Sequence, residues 1–327
     1  MTNRAHRLNL GGTNNAIGTF TTVALSASTV NYDRAGNQTV FVSSNYQDLA
    51  ISGSGDKVLQ GTTIANGSLT VSAGTLEVGA QILSVGGTTT ISGTLNDNDN
   101  LGLNFFVGQV AVNAGGSLTT ASNSTFEFRG GIRNDGTFSQ TGTGNVTFST
   151  NSPQIITGTA AIVLTGNVII NNGITVTNQN TNTVTLNGSL NGANGASTWA
   201  NGANATLNYL NAAQPMATGT LTTTSPNLVI YGGAGQSVKP ATYHNLTIAG
   251  SGTKTLAGNA TVNNNLAVNA GTLDFGTPAR TVTVGGDLSG GGTISMAGVG
   301  LAHVLNLGGT NNAIGAFTTT AASHSTV

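Results

Sequence analysis

Gly67-Ser-Leu-Thr-Val-Ser-Ala-Gly-Thr-Leu-Glu-Val-Gly79 carries the pattern that sets the fold. Leu69 and Val71, then Leu76 and Val78, alternate with small polar residues, so each pair shares one face of a very short strand. Gly74 and Gly79 stand where the chain must turn, because glycine enters left-handed and tight conformations without a steric cost. Asp48-Leu-Ala-Ile-Ser-Gly53, Thr90-Ile-Ser-Gly93 and Thr94-Leu95 repeat the pattern. No 12-residue stretch carries apolar residues at helical spacing with good helix formers between them. Such strands suit a coil that turns a corner every five to eight residues or so and stacks on further coils. The expected fold is all-β, a right-handed parallel β-helix (β-solenoid) without significant helix, running as one continuous domain over residues 1–327.

Internal repeats support a stacked architecture. Ala5–Val30 returns as Ala302–Val327, with 21 of 26 positions identical at an offset of 297 residues. A shorter repeat, at an offset of 197, relates residues 46–95 to residues 243–294. Its clearest part matches Tyr46-Gln-Asp-Leu-Ala-Ile-Ser-Gly-Ser-Gly-Asp-Lys57 to Tyr243-His-Asn-Leu-Thr-Ile-Ala-Gly-Ser-Gly-Thr-Lys254. Aliphatics and glycines hold their positions while Asp56 gives way to Thr253, which reads as a repeat of geometry, not of a chemical group. A looser pattern sets an aliphatic, an aromatic two residues on, and a Gln five or six residues later: Val30, Tyr32, Gln38; Val146, Phe148, Gln154; Leu207, Tyr209, Gln214; Val229, Tyr231, Gln236. The first two side chains point the same way, into a core, and the Gln is placed to satisfy backbone groups at a corner.

Gly61-Thr-Thr-Ile-Ala-Asn-Gly-Ser-Leu-Thr-Val-Ser-Ala-Gly-Thr-Leu-Glu-Val-Gly79 resembles the autotransporter-associated β-strand repeat of secreted bacterial passenger domains. Residues 258–276 look like a second copy, and the chain as a whole is similar to haemagglutinin-like giant surface adhesins. The turn that carries a tyrosine in that repeat is Ser54-Gly-Asp-Lys57 and Ser251-Gly-Thr-Lys254 here. The resemblance implies an extracellular or cell-surface stalk and no activity.

Composition narrows the function. Charged residues make up 6% of the chain, against about 25% in ordinary globular proteins, and the net charge is −1. That balance argues against nucleic acid and anionic membrane as partners, and leaves little repulsion between copies. Hydrophobic residues, at 38%, suffice for a thin continuous core. Cysteine is absent, which excludes disulfides and thiolate metal sites and suits an oxidising exterior. No run approaches the roughly 20 apolar residues of a membrane span. Met1–Arg7 lacks an apolar signal-peptide core, which places any export signal upstream or already removed.

Candidate chemistry is sparse. Asp97 and Asp99, in Leu95-Asn-Asp-Asn-Asp-Asn-Leu101, form an oxygen-rich loop that is a short candidate for Ca²⁺, weighed against an exposed turn. Glu127, Arg129, Arg133 and Asp135 are the densest charge; an outward ion-paired patch with Phe126 and Phe128 inside is the reading preferred over an acid–base site. His6 and His303 are equivalent in the long repeat and read as structural or surface residues in preference to ligands. No catalytic, cofactor or metal residues are assigned, and the chain reads as a non-enzyme.

The expected function is structural: one 297-residue period plus overlap, extended head to tail by stacking or by covalent tandem continuation. About 20–22 residues per coil and about 4.8 Å per rung give some 14 coils and 65–70 Å per period. The partner is then the chain itself. Leu8, Leu10, Ile17 and Phe20 on one copy, and Leu305, Leu307, Ile314 and Phe317 on the other, are the junction candidates. The alternatives are an adhesin for cell-surface glycans using Trp199, Tyr209 and Tyr243, and a polysaccharide lyase or hydrolase around Glu127–Asp135.

Overall fold

The computed structural model describes residues 5–15, 27–98, 102–121, 123–319 and 324–327. Among them every named strand is paired in parallel, and no helix occurs. The expected parallel β-solenoid is what the chain forms. Its strands run shorter than the sequence pattern suggests, most of them three or four residues, because each corner takes the residues that flank it. The chain divides into two compact units, residues 1–169 and 170–327.

From Asp48 onward each coil of the first unit contributes one strand to each of three faces, as in Leu69–Val71, Thr75–Glu77 and Leu83–Val85. Parallel register stacks like on like. Leu49, Leu69, Thr89, Val110, Ile132 and Ile156 form one inward column, climbing 20 to 24 residues per coil. Leu76, Leu95, Leu118, Phe138 and Ile162 form a second. On the third face Val85 is followed by Phe106, Phe128 and Phe148, whose rings stack 5.7 and 5.8 Å apart. Alternation places the intervening residues outward, as the sequence pattern requires. Gly74 turns a corner at φ +64°, and a Cβ there would lie 2.3 Å from the Gly53 carbonyl oxygen of the coil before it. Glycine is therefore demanded both by conformation and by the approach of stacked backbones.

The second unit is built the same way, with one irregularity. Strand Thr220–Tyr231 runs twelve residues through a corner, and its register slips between Thr223 and Leu228. From Thr242 onward the coils are regular: Ala260–Val262, Leu266–Val268 and Thr272–Asp274 are followed by Thr281–Val284, Leu288–Ser289 and Thr293–Ser295. Asn-rich corners stack as ladders here. Asn264 Nδ2 donates to Asn245 Oδ1 at 2.9 Å, the Asp287 amide to Asn265 Oδ1 at 3.0 Å, and the Asn311 amide to Asp287 Oδ1 at 3.1 Å. At Asn171 the backbone carbonyl makes the stacking contact, accepting the Ser197 hydroxyl at 3.0 Å.

Candidate assembly interface

The described parts of the two copies of the long repeat pair alike and differ in what covers them. Strand Arg7–Leu10 lies in register on Thr29–Tyr32, with Arg7 opposite Thr29. Its equivalent, Val304–Leu307, meets Thr326 through a parallel bridge at Val304. The ladder bond is reproduced: the Thr29 amide donates to His6 O at 2.7 Å and the Thr326 amide to His303 O at 2.8 Å.

On the opposite edge the copies diverge. Val304–Leu307 rests on Thr281–Val284, with Val282 opposite Leu305 and Val284 opposite Leu307. Leu305 is 1% exposed there, and His303 is fully buried, its ring edge-on to Phe275 with centroids 5.5 Å apart. The Arg280 amide donates to His303 Nδ1 at 3.1 Å, which fixes that nitrogen as an acceptor. Arg7–Leu10 pairs with no other described strand; Leu8 is 42% exposed and His6 lies in solvent. Conversely Val30 is 4% exposed beneath its later coils, whereas its equivalent Val327 is 67% exposed.

Of the remaining junction candidates, Leu10, Leu307 and Ile314 are half-buried and Phe317 is 40% exposed. Leu305, Leu307, Ile314, Phe317 and Val327, with Leu288, line an open apolar hollow of about 260 Å³. Ile17 and Phe20 lie outside the described residues.

Two buried polar corners go beyond what the sequence pattern indicates. Lys57 and Lys254 are each fully buried, Nζ donating to Gly36 O and Ser54 O at 2.9 and 2.5 Å, and to Gly250 O and Ser251 O at 3.2 and 2.6 Å. Burial lowers both amines from their ordinary pKa. The hydroxyls of Tyr32 and Tyr46 meet at 2.7 Å, and those of Tyr231 and Tyr243 at 2.9 Å. The shorter repeat therefore does carry chemical groups: Tyr46 and Lys57 recur as Tyr243 and Lys254. Their identity at the shared offset is the signal that points to them. Three of the four corner glutamines bond the backbone as their spacing implies: Gln38 donates to Leu10 O and Gly12 O, Gln154 to Ser149 O, and Gln236 to Tyr209 O and Asn211 O, whereas the Oε1 of Gln214 is buried without a partner.

The other candidates resolve into packing. Glu127 pairs with Arg129 at 2.7 Å and Arg133 with Asp135 at 2.9 Å on the outer surface, with Phe126 and Phe128 buried beneath. Asp97 is not in an exposed turn: it closes strand Thr94–Asp97, buried, and accepts a bond from Asn104 Nδ2 at 2.7 Å. Asp99 lies outside the described residues, and among those described no three acidic or histidine side chains gather as for a metal. Trp199, Tyr209 and Tyr243 are fully buried, so the residues named for glycan stacking belong to the core. A polar hollow of about 300 Å³ beside Arg7, Asn31 and Asp48 is lined by groups already bonded to one another, Arg7 Nε and Asn31 Nδ2 both donating to Asn9 Oδ1.

No protein-family model, curated protein or solved structure matches the chain.

Proposed function

We propose that this chain is a non-enzymatic structural protein, a β-solenoid period that extends head to tail into a filament or stalk outside the cell or on its surface. The observation that carries the reading is the shared pairing of the repeated segments. Arg7–Leu10 lies in parallel register on Thr29–Tyr32, and its counterpart Val304–Leu307 bridges Thr326 in the same sense while resting on Thr281–Val284. The chain therefore already contains, at Thr281–Val284, a strand that accepts a segment differing from Ala5–Asn15 only at Val304. Low charge leaves little repulsion against such growth, and the resemblance of residues 46–95 and 243–294 to a secreted surface repeat supports the location.

Electron microscopy of native material tests this. Unbranched assemblies with the axial period expected from the coil count are the predicted outcome, whether the periods join covalently or by contact. Isolated particles of single-chain mass, at every concentration and without an axial repeat, overturn it.

A further inference from the structure

We propose that the segment Ala302–Asn312 is a resident stand-in for Ala5–Asn15 of a second copy of this chain, and that assembly exchanges one for the other on strand Thr281–Val284. The inference rests on the head-to-tail reading above and adds to it a specific acceptor and a displaced segment.

The two segments are identical except that Val304 stands where Arg7 does. That difference falls on the outward face, since His303, Leu305 and Leu307 alternate inward. All that the acceptor recognises is therefore common to both. It offers the Arg280 and Val284 carbonyls to the Val304 and Gly308 amides, at 2.9 and 2.8 Å. It offers the Leu288 amide to Asn312 Oδ1 at 2.9 Å, and Val282 as the neighbour of Leu305.

The incoming segment is preshaped for these contacts. Asn312 Nδ2 closes its turn on Gly309 O at 2.7 Å, and Asn15 Nδ2 closes the equivalent turn on Gly12 O at 3.1 Å. Little ordering remains to be done on docking, which favours association. The incomer restores the packing and ladder bonds that the resident gives up, and freeing an ordered segment offsets part of the entropy cost of association.

A reversible lock tests the exchange. Asn306 Nδ2 lies 3.3 Å from Thr283 Oγ1 on the outer face, and the chain has no cysteine. The full chain carrying Thr283→Cys and Asn306→Cys is compared oxidised and reduced, with a labelled synthetic Ala5–Asn15 peptide as probe. Reduced protein is expected to take up the peptide at least tenfold more than oxidised protein, and a peptide carrying Leu8→Asp is expected not to bind. Equal uptake in both states, or no uptake in the reduced state, overturns the exchange. Assembly followed in the same samples separates the two proposals. Filaments that form equally when locked leave the head-to-tail reading standing and remove the stand-in; peptide uptake without filaments does the reverse.

Discussion

Tyr231 and Tyr243 share a hydrogen bond between their hydroxyls, and the backbone of Lys239 closes the circuit from both sides. The Lys239 amide donates to Tyr231 Oη at 3.0 Å, and Tyr243 Oη donates to Lys239 O at 2.6 Å. Tyr32, Tyr46 and Phe41 repeat the arrangement, with 2.9 and 2.6 Å for the same two bonds. A phenolate in either place would be a buried charge without a cation, so desolvation raises the pKa of all four phenols above the ordinary 10.0. Tyr209, the fifth and last tyrosine, is pushed up to about 12 by the same cause.

An alkaline transition follows from these tyrosines. A group whose pKa is higher folded than unfolded stabilises fully below the unfolded value and loses that contribution as pH rises toward the folded one. The tyrosines thus weaken the fold from pH 10 upward. Lys57, Lys239 and Lys254, lowered by burial, act oppositely but only below their unfolded value of 10.5. Tyrosinate absorbance is expected to rise together with the loss of β-sheet circular dichroism, above pH 10.5. A smooth titration centred on pH 10 with the sheet signal intact would contradict the buried circuits.

The two lysine corners give a stability test. Lys57→Met keeps most of the buried stem and leaves the Gly36 carbonyl without the amine, while the Ser54 carbonyl keeps only the Gly36 amide. An unsatisfied buried acceptor costs about 1–3 kcal/mol, so the urea midpoint should fall by that equivalent, and Lys254→Met should match it. An outward lysine would show no such loss. A midpoint unchanged within error in both variants would remove the structural role given to the amines.

The phenylalanine ladder of the first unit is the largest concentration of aromatic packing there. Phe128 touches four rings, those of Phe106, Phe126, Phe138 and Phe148, at 5.7 to 6.2 Å. Phe128→Ala is expected to cost about 3–5 kcal/mol, because coils fixed above and below cannot collapse into the cavity. Phe105→Ala, on the outer face under Arg129, should cost far less. Chemical denaturation of the two variants side by side checks the contrast.

Much of this is readable from pattern because a solenoid is local: strand, corner and next strand are all set within about 20 residues. Leu69, Val71 and Leu76 point inward as their alternation says, and Gly74 sits at its corner. The buried lysines are not readable in the same way. A lysine is charged, and in an isolated strand it reads as solvated; only the convergence of the Gly36 and Ser54 carbonyls, which lie in successive coils, makes burial favourable. Trp199 and Tyr209 are candidates for ligand stacking only in the alternative, adhesin reading. Both are buried, and Tyr209 shares the inward face of Leu207 as their two-residue spacing predicts. The division of strands among three faces depends on corner angles, which alternation alone does not specify.

His303 makes the resident segment sensitive to acid. Burial pushes its imidazole below the ordinary 6.5; Arg280 adds to that effect and Asp274 opposes it. Nδ1 already accepts the Arg280 amide, so protonation there would break that bond and charge a buried ring. Below pH 6.5 a released segment binds a proton that the docked one resists. The docked state is therefore at full strength above 6.5 and loses ground as pH falls toward the docked value, by up to about tenfold in its equilibrium per pH unit. Amide exchange at Val304 and Gly308, corrected for intrinsic rates, is expected to quicken between pH 6.5 and 5. Exchange at Thr70, whose ladder lies in the first unit far from any histidine in sequence, serves as the reference. His303→Gln should flatten the dependence, because glutamine offers an acceptor to the Arg280 amide and takes up no proton. Exchange that quickens as steeply in that variant would assign the acid response elsewhere and leave the docking of Ala302–Asn312 indifferent to His303.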